Sequence, residues 1–209
     1  MVMIESNILF LKNHATITVS SNDLVPVAQL VPVNARAIHQ YDNVCELMSR
    51  WRNQFRESFL TQFTATPERT FHWLHNEVIA RNDKILFLII VNGEVVGHIG
   101  LTDITADNAE IDNVVNTHRK KDFFYEVLRV VVQMCFDLMS IKKITIQYLS
   151  NNEIAVRAYR KIFHEAPVRS EPVRKIQDGD TIKYVICEPQ NANVDIMYLT
   201  SELTTPHFQ

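Results

Sequence analysis

The segment KILFLIIVNGEVVGHIGL, residues 84–101, constrains the fold of this chain more than any other stretch. Residues 85–91 form a continuous apolar run, which is typical of a strand buried on both faces. Asn92-Gly93 follows at once, and this pair favours a type I′ turn that reverses the chain within two residues. Residues 94–104 then return as the partner strand. The sequence therefore predicts a buried antiparallel hairpin.

After this hairpin, strands alternate with helices. A strand (108–115) is followed by an apolar helix (122–140) and a strand rich in β-branched residues (142–149). Because a helix connects them, these two strands should be parallel and joined by a right-handed crossover. A further helix is predicted over 151–163. The remaining predicted elements are a hairpin (168–176 and 181–188) and an edge strand (194–200).

The N-terminal part combines extended and helical patterns. Residues 8–20 and 26–33 have extended patterns with a turn at Asn13-His14, and residues 35–55 have a helical one. A second helix begins at Thr66, because its hydroxyl can cap the helix and the proline that follows suits the first helical position.

We therefore predict an α+β arrangement within the broad α/β class. Its mixed, mostly antiparallel central sheet has one parallel crossover and is flanked by helices. Residues 1–35 are expected to form an N-terminal β extension and residues 36–190 the main domain. Residues 191–209 are expected to form a C-terminal strand and a mobile tail.

Composition and charge argue against several classes of function. The 209-residue chain has a net charge of -3 and a pI near 6.2, which argues against a nucleic-acid-binding protein because such proteins are normally basic. No apolar run approaches the roughly 18–20 residues of a membrane-spanning helix, and the first residues lack the pattern of a signal peptide. The 3 cysteines are far apart and odd in number, so we expect reduced thiols in a cytoplasmic protein.

The order of these elements and three short motifs resemble the GNAT superfamily of acyl-CoA-dependent N-acetyltransferases. KILFLIIVNGEVVGHIGL is similar to the central hairpin of that family, and AEIDNVV (109–115) to the strand before its cofactor loop. NNEIAVRAYRKIF is similar to its N-x-x-A-x-x-x-Y helix, with Asn152, Ala155 and Tyr159 at the motif positions. The resemblance covers about residues 40–188 and implies a GNAT-like fold.

One branch of this superfamily acetylates amino groups on nucleotide-linked sugars for surface polysaccharides. Trp51-Arg52-Asn53, a Thr-capped helix that contains Trp73, and EIDN in the third strand resemble this branch. The resemblance implies transfer of an acetyl group from acetyl-CoA to a small-molecule amine, with a nucleotide-linked amino sugar favoured. Arg52, Asn53 and His72 are then candidate substrate-binding residues, and ordinary solvent exposure is the alternative for Arg52 and His72.

Acetyl transfer to an amine needs an unprotonated amine and a proton for the departing thiolate. The resemblance makes Tyr159 the candidate proton donor, against the alternative of a tyrosine ring packed in the core. Glu110 and Asp112 are candidate bases, because their alternation with apolar neighbours points both side chains to one face of the strand. A solvated strand face is equally compatible with that pattern. His98 is a third candidate, since imidazole titrates near neutrality, with a structural role as its alternative.

No metal site is predicted from the sequence. Glu68, His72 and His75 lie at helical spacings on roughly one face. That spacing differs from the H-E-x-x-H arrangement, and no further cluster of ligands is evident. We therefore expect a solvated helix face or a contact with substrate.

The stretch RKKDFFYEVL, which begins at Arg119, departs from the usual GNAT cofactor loop. That loop normally reads Gln or Arg-x-x-Gly-x-Gly or Ala, and its backbone N–H groups hold the coenzyme A pyrophosphate at a helix N-terminus. Here the glycine positions are Asp122 and Phe124. Either Arg119, Lys120 and Lys121 supply side-chain charge instead, or coenzyme A binding is lost. The candidate cofactor-binding residues are Val114, Val115, Arg119, Lys120, Lys121, Asp122, Phe123, Asn152 and Ala155.

Three functional hypotheses follow from these residues. The leading one is an N-acetyltransferase that uses acetyl-CoA as its co-substrate. The second is a non-catalytic GNAT-like binding or assembly module that has lost coenzyme A binding. The third is an acyltransferase of the same fold that uses a longer acyl group or another amine, such as a peptide N-terminus. Residues 1–35 would either cover the acceptor pocket or add a strand to a homodimer.

Overall fold

The computed structural model describes residues 2–14, 16–21, 23–41, 43–120, 122–164 and 166–202. In this part of the chain, six α-helices flank one sheet of ten strands. The helices are α1 (Val2–His14), α2 (Ala35–Gln40), α3 (Val44–Gln54), α4 (Pro67–Trp73), α5 (Phe123–Asp137) and α6 (Glu153–Ile162). The strands are β1 (Ile17–Ser20), β2 (Pro26–Pro32), β3 (Thr61–Gln62), β4 (Ile85–Val91), β5 (Glu94–Thr102), β6 (Asn108–Asn116), β7 (Lys143–Leu149), β8 (Val168–Asp178), β9 (Thr181–Ile186) and β10 (Val194–Glu202).

The order of strands confirms the mixed sheet. Across the sheet, the strands lie in the order β1-β2-β4-β5-β6-β7-β10-β8-β9-β3. Among the described strands, only β6 and β7 are parallel neighbours, and α5 connects them as a crossover. The two-residue strand β3 pairs with β9, so the segment between α3 and α4 is tied to the C-terminal hairpin.

The apolar run of β4 is explained by two cores on opposite faces of the sheet. Ile85, Phe87 and Ile89 pack in the larger core, which also receives α1, α5 and α6. The alternate residues Leu86 and Leu88 pack against α3 and the helical segment after α4. A strand with a hydrophobic core on each side has no polar face, and the sequence of β4 shows none.

The N-terminal extension begins with a helix, so the prediction of an extended segment with a turn at Asn13-His14 is wrong. Ile8 and Leu11 are buried one helical turn apart in the larger core. The buried Lys12 ammonium donates hydrogen bonds to the carbonyls of Val78 at 2.7 Å and Ile79 at 3.3 Å, and to that of Arg81. These tertiary contacts select the helix, and the extended pattern holds only for β1 and β2.

The C-terminal strand is not an edge strand, contrary to the prediction. β10 lies between β7 and β8 and pairs with both. Ile196 and Leu199 are buried on its two sides. Residues 203–209, for which a mobile tail was expected, lie outside the described residues.

Two predicted helices differ from a single regular α-helix. The helix expected over residues 35–55 is divided into α2 and α3, and Asn43 before α3 has a left-handed backbone with φ 64°. The helix that begins at Pro67 continues past Trp73 as a π-helical segment, Leu74–Ile79. No helix in the described ranges is long and apolar enough to cross a membrane.

We expect Lys12→Met to lower the free energy of unfolding by about 2 kcal/mol, because buried carbonyls at the end of the π-helical segment lose a charged donor. Chemical denaturation measures the change. Lys142→Met is the control, since its ion pair with Asp107 is exposed and its loss should change stability by less than about 1 kcal/mol. Equal effects of both substitutions would contradict the capping role of Lys12.

Candidate active site

The parallel strands β6 and β7 separate part-way along their length. Their pairing runs from Asn108 opposite Lys143 to Ile111 opposite Ile146, although both strands continue beyond it. On its other side β6 stays paired with β5, through a register shift between His98 and Gly100. Opposite this shift Asn113 has a left-handed backbone with φ 50°. This is a β-bulge, which bends β6 away from β7.

Two glycines of β5 make room for the bulge. A Cβ atom on Gly97 would lie 2.2 Å from the carbonyl oxygen of Val115. A Cβ atom on Gly100 would lie 3.0 Å from the carbonyl oxygen of Asp112 and 3.2 Å from the Leu86 side chain. Side chains at these positions would push β6 away from β5. Gly97 and Gly100 therefore allow the close approach of the backbones on which the bulge depends.

A cavity of about 710 Å³ opens where the strands separate. Its walls come from β5, β6, β7, α3, α4, α5, α6 and the segment between α3 and α4. The structure brings nine of the predicted site residues into this wall. They are Arg52, His98, Glu110, Asp112, Val114, Val115, Asn152, Ala155 and Tyr159.

Glu110 is the carboxylate best suited to accept a proton near neutral pH. Burial raises the pKa of Glu110 to about 7, against a hydrogen bond from Gln147 that lowers it. The Gln147 amide donates that bond to Glu110 Oε2 at 2.7 Å across the point where the strands separate. A base works best when its pKa is close to the operating pH.

Asp112 is the more enclosed of the two carboxylates. Burial raises the pKa of Asp112, while the hydrogen bond with the Asn113 backbone and the charges of Lys84 and Arg52 lower it. The Asn113 side-chain amide donates to Asp112 Oδ2 at 2.5 Å. The charge of Asp112 also contributes to the raised pKa of Glu110, after the larger effect of burial.

His98 is buried and faces the bulge. Its Nδ1 lies 2.6 Å from the carbonyl oxygen of Asn113, so Nδ1 carries the proton and donates it in a hydrogen bond. Burial lowers the pKa of His98 to about 4. The imidazole is therefore neutral at pH 7, and its geometry fits a residue that holds the bulge as well as one that accepts a proton.

Tyr159 lies in the cavity wall one and a half turns into α6. Its ring centroid is 5.6 Å from that of Tyr148 and 6.4 Å from that of Phe124. Burial raises the pKa of its phenol above the ordinary value, and the charge of Asp112 adds to this effect. The hydroxyl therefore stays protonated at neutral pH and is available as a proton donor.

Arg52 brings a positive charge into the same cavity without a carboxylate at ion-pair distance in the described residues. Its guanidinium donates to the carbonyl of Thr61 at 2.6 Å and lies 3.7 Å from the ring centroid of Phe59. Burial lowers the pKa of Arg52 to about 10, and the charge of Asp112 partly offsets that.

The loop between β6 and α5 is organised without glycine. Asp122 precedes α5 with φ 61° and ψ -3°, which is the left-handed conformation that glycine adopts easily and that Asp tolerates better than most residues. Lys161 donates to Asp122 Oδ1 at 2.6 Å. The unusual backbone conformation is thus retained, and the acidic charge at this position has a cationic neighbour.

Side-chain contacts hold the rest of this loop. Asn116 bonds both the N–H and the carbonyl of His118, each at 3.1 Å. The His118 ring packs against the buried Phe123 with 4.3 Å between centroids. Arg119 and Lys120 are exposed, and Lys121 lies outside the described residues. The predicted cofactor residues Arg119, Lys120, Asp122 and Phe123 are not in the cavity wall.

Two predicted substrate residues also lie elsewhere. The Asn53 amide exchanges hydrogen bonds with the backbone of Ala65 at 2.8 and 2.9 Å, so it holds the segment between α3 and α4. His72 is exposed on α4, where its ring contacts Phe71. Across the described ranges, no three His, Cys, Asp or Glu residues are grouped as ligands of a metal ion.

A family model for the acetyltransferase (GNAT) domain matches residues 31–162. The chain belongs to the GNAT family. Its members are acyl-CoA-dependent N-acetyltransferases, so the enzyme hypothesis is the one supported, and the non-catalytic module is not. The match ends three residues past Tyr159 and includes the whole of the separated strand pair.

Solved GNAT structures share this fold at low sequence identity. Campylobacter jejuni N-acetyltransferase PseH aligns with a TM-score of 0.51 and 14% identity, over 86% of this chain and 100% of that one. A Brucella melitensis GCN5-related N-acetyltransferase aligns with a TM-score of 0.59 and 18% identity, over 89% of this chain and 78% of that one. A Salmonella typhimurium acetyltransferase that modifies the N-terminal serine of ribosomal protein L7/L12 aligns with a TM-score of 0.61 and 14% identity. The alignment covers 90% of this chain and 99% of that one. No curated protein sequence matches the chain.

Acetyl-CoA fits the arrangement of this GNAT domain. Beyond Ile111 the edge of β6 is free of β7 and borders the cavity, so an extended ligand can lie along it. Asp122 reproduces the backbone conformation of a loop glycine at the N-terminus of α5. Phe124, at the second glycine position, packs into the cavity wall beside Tyr159.

Several residues of this site were not predicted from the sequence. Gln147 and Lys161 contact two predicted residues, and Arg69, Phe59 and Phe63 line the cavity. The alternation in KITIQYL places Gln147 on a polar strand face, which is a usable signal. The other four depend on tertiary contacts.

We expect Asp122→Gly to preserve the stability of the GNAT domain and to tighten acetyl-CoA binding, because it removes a carboxylate beside the loop and keeps the left-handed conformation. Asp122→Ala is the matched variant, and its Cβ should cost about 1 kcal/mol of stability in this conformation. Denaturation and calorimetry measure both effects. Equal stability of the two variants would contradict the proposed backbone requirement.

Proposed function

We propose that this GNAT enzyme transfers the acetyl group of acetyl-CoA to an anionic small-molecule amine, most specifically a nucleotide-linked amino sugar. The observation that carries the proposal is the position of Glu110 and Tyr159. They come from β6 and α6, and both line the cavity at the separation of β6 and β7. One group accepts a proton near pH 7, and the other holds its proton.

Glu110 acts as the general base in this proposal. Its carboxylate accepts a proton from the ammonium group of the acceptor, directly or through water, which frees the nitrogen lone pair for attack on the acetyl carbonyl. Asp112 supports the same proton transfer through its charge, because it raises the pKa of Glu110. His98 is neutral, and we assign it to the bulge through its bond to Asn113.

Tyr159 acts as the proton donor. Bound acetyl-CoA supplies the acetyl thioester, and the Tyr159 hydroxyl gives its proton to the sulfur atom as the carbon–sulfur bond breaks. The Tyr159 phenolate then recovers a proton from the newly acylated nitrogen, which loses it to become the neutral amide. The rings of Tyr148 and Phe124 beside Tyr159 form an apolar part of the cavity wall, and burial raises the pKa of the phenol.

The position of four predicted cofactor residues in the cavity wall supports their assignment; they are Val114, Val115, Asn152 and Ala155. Val114 and Val115 lie on the part of β6 that has separated from β7. The Asn152 side chain caps α6 by accepting from the N–H of Ala155 at 3.2 Å. Arg119, Lys120 and Lys121 would contribute positive charge to the pyrophosphate near the N-terminus of α5.

Arg52 supports an anionic acceptor. The half-buried Arg52 guanidinium has no carboxylate within ion-pair distance among the described residues, and a phosphate from the acceptor would supply an opposite charge in a bidentate contact. A free peptide N-terminus brings a positive charge to this end of the cavity and lacks that complementarity.

Asn53 and His72 would contribute indirectly, through the segment and helix that carry Arg69. A cytoplasmic location and a homodimer remain predictions.

The acid limb of the pH profile tests the base. Because burial raises the pKa of Glu110 to about 7 and a base must be deprotonated, kcat/KM for a nucleotide-linked amino sugar should fall as pH drops below about 7. Glu110→Gln should remove that limb together with most of the activity. Asp112→Asn should move it to lower pH. The measurement is thiol release from acetyl-CoA, and a limb that survives Glu110→Gln would exclude Glu110 as the base.

Substitution of the proton donor gives a separate test. We expect Tyr159→Phe to lower kcat by about a hundredfold or more while the affinity for acetyl-CoA changes by less than about threefold, since only the hydroxyl is lost. Tyr198→Phe is the control because Tyr198 donates to Glu171 outside the cavity. Unchanged turnover in Tyr159→Phe would remove Tyr159 from the mechanism.

A further inference from the structure

A second guanidinium lies at the acceptor end of the cavity. Arg69 of α4 lines it together with Arg52. The guanidinium carbons of Arg69 and Arg52 are 4.2 and 4.9 Å from the ring centroid of Phe63. Phe59 is 3.7 Å from Arg52 on the same wall. Two positive charges are therefore held near one aromatic ring, and both can contact a single ligand.

The two guanidinium groups differ in their acidic partners. Arg69 is paired with Asp180 at 2.8 Å, and both side chains of this pair are substantially exposed. Arg52 has no carboxylate at ion-pair distance among the described residues and depends on the Thr61 carbonyl and aromatic contacts. Both guanidinium groups contact the Phe63 ring. A ligand with two adjacent anionic groups would neutralise both positions at once.

Asp180 belongs to the turn between β8 and β9, and other contacts tie that hairpin to the segment between α3 and α4, which borders the cavity. β9 pairs with β3 through Lys183 opposite Thr61. Lys175 of β8 binds Glu57 at 3.0 Å. The C-terminal hairpin therefore brings a carboxylate to a cationic wall residue. Since exposed ion pairs contribute little free energy, a more highly charged ligand can replace Asp180.

We propose that Arg52 and Arg69 form a diphosphate subsite for the acceptor, and that the Asp180 carboxylate occupies the Arg69 half of it in the free protein. This inference rests on the proposed function, because it defines the acceptor as a nucleoside-diphosphate-linked amine. Each guanidinium contacts one phosphate, since planar guanidinium groups bind phosphate oxygens in bidentate fashion. The aromatic rings Phe59 and Phe63 hold the guanidinium groups in place.

Inorganic pyrophosphate is the probe, and calorimetry in saturating desulfo-coenzyme A measures its affinity at fixed ionic strength. The coenzyme analogue blocks the other pyrophosphate position on the protein. We expect pyrophosphate to bind the wild type, Arg69→Gln to weaken its binding at least about tenfold, and Asp180→Asn to tighten it several-fold. Arg174→Gln is the control, because it removes the same charge from an exposed position on β8 outside the cavity.

Three outcomes would contradict these proposals. If pyrophosphate binds with an affinity that neither Arg69→Gln nor Asp180→Asn changes, or does not bind at all, the subsite is wrong even when the coenzyme analogue binds normally. If the analogue and acetyl-CoA both fail to bind, the proposed function itself fails. Inorganic phosphate, titrated in parallel, should bind more weakly than pyrophosphate, and equal affinities would contradict a two-position site.

Discussion

The site depends on the separation of two parallel strands after only four paired residues on each. β6 and β7 are aligned from Asn108 to Ile111 by the crossover through α5, and the bulge at Asn113 then bends β6 away. The gap exposes a strand edge, opens the cavity, and directs side chains of both strands towards one volume. The close backbone approach at Gly97 makes the bulge sterically feasible. Without the bulge, β6 and β7 could stay paired and no cavity would form between them.

Desolvation then sets the chemistry of the groups around that gap. The same burial raises the pKa of Glu110 to about 7 and lowers that of His98 to about 4, so the carboxylate and not the imidazole titrates near neutrality. It also keeps the phenol of Tyr159 protonated. Partial burial also lowers the pKa of the Arg52 guanidinium, and an anionic acceptor would stabilise its charged form. Acid, base and acceptor selectivity in the proposal thus follow from one enclosed environment.

The sequence predicted the central elements because their signals are local. The Asn92-Gly93 turn and the apolar run of β4 define the hairpin, and the helix between β6 and β7 requires their parallel direction. The elements that were predicted wrongly, α1 and β10, depend on tertiary contacts. Lys12 selects a helix only through carbonyls more than sixty residues away, and β10 enters the sheet between strands that precede it. The loop depends on both kinds of signal: Asp122 tolerates the left-handed backbone that glycine adopts easily, whereas the cation beside its carboxylate, Lys161, is distant in sequence.

Chemical-shift mapping of acetyl-CoA binding shows directly whether the gap between β6 and β7 is the cofactor site. In a titration followed by NMR of backbone amides, we expect saturable shifts concentrated in three segments that border the gap. They are residues 112–116 of β6, the loop through residue 124, and residues 152–155 at the start of α6. Absence of saturable shifts at millimolar ligand, or shifts confined to other surfaces, would contradict the assignment of the gap between β6 and β7 as the acetyl-CoA site.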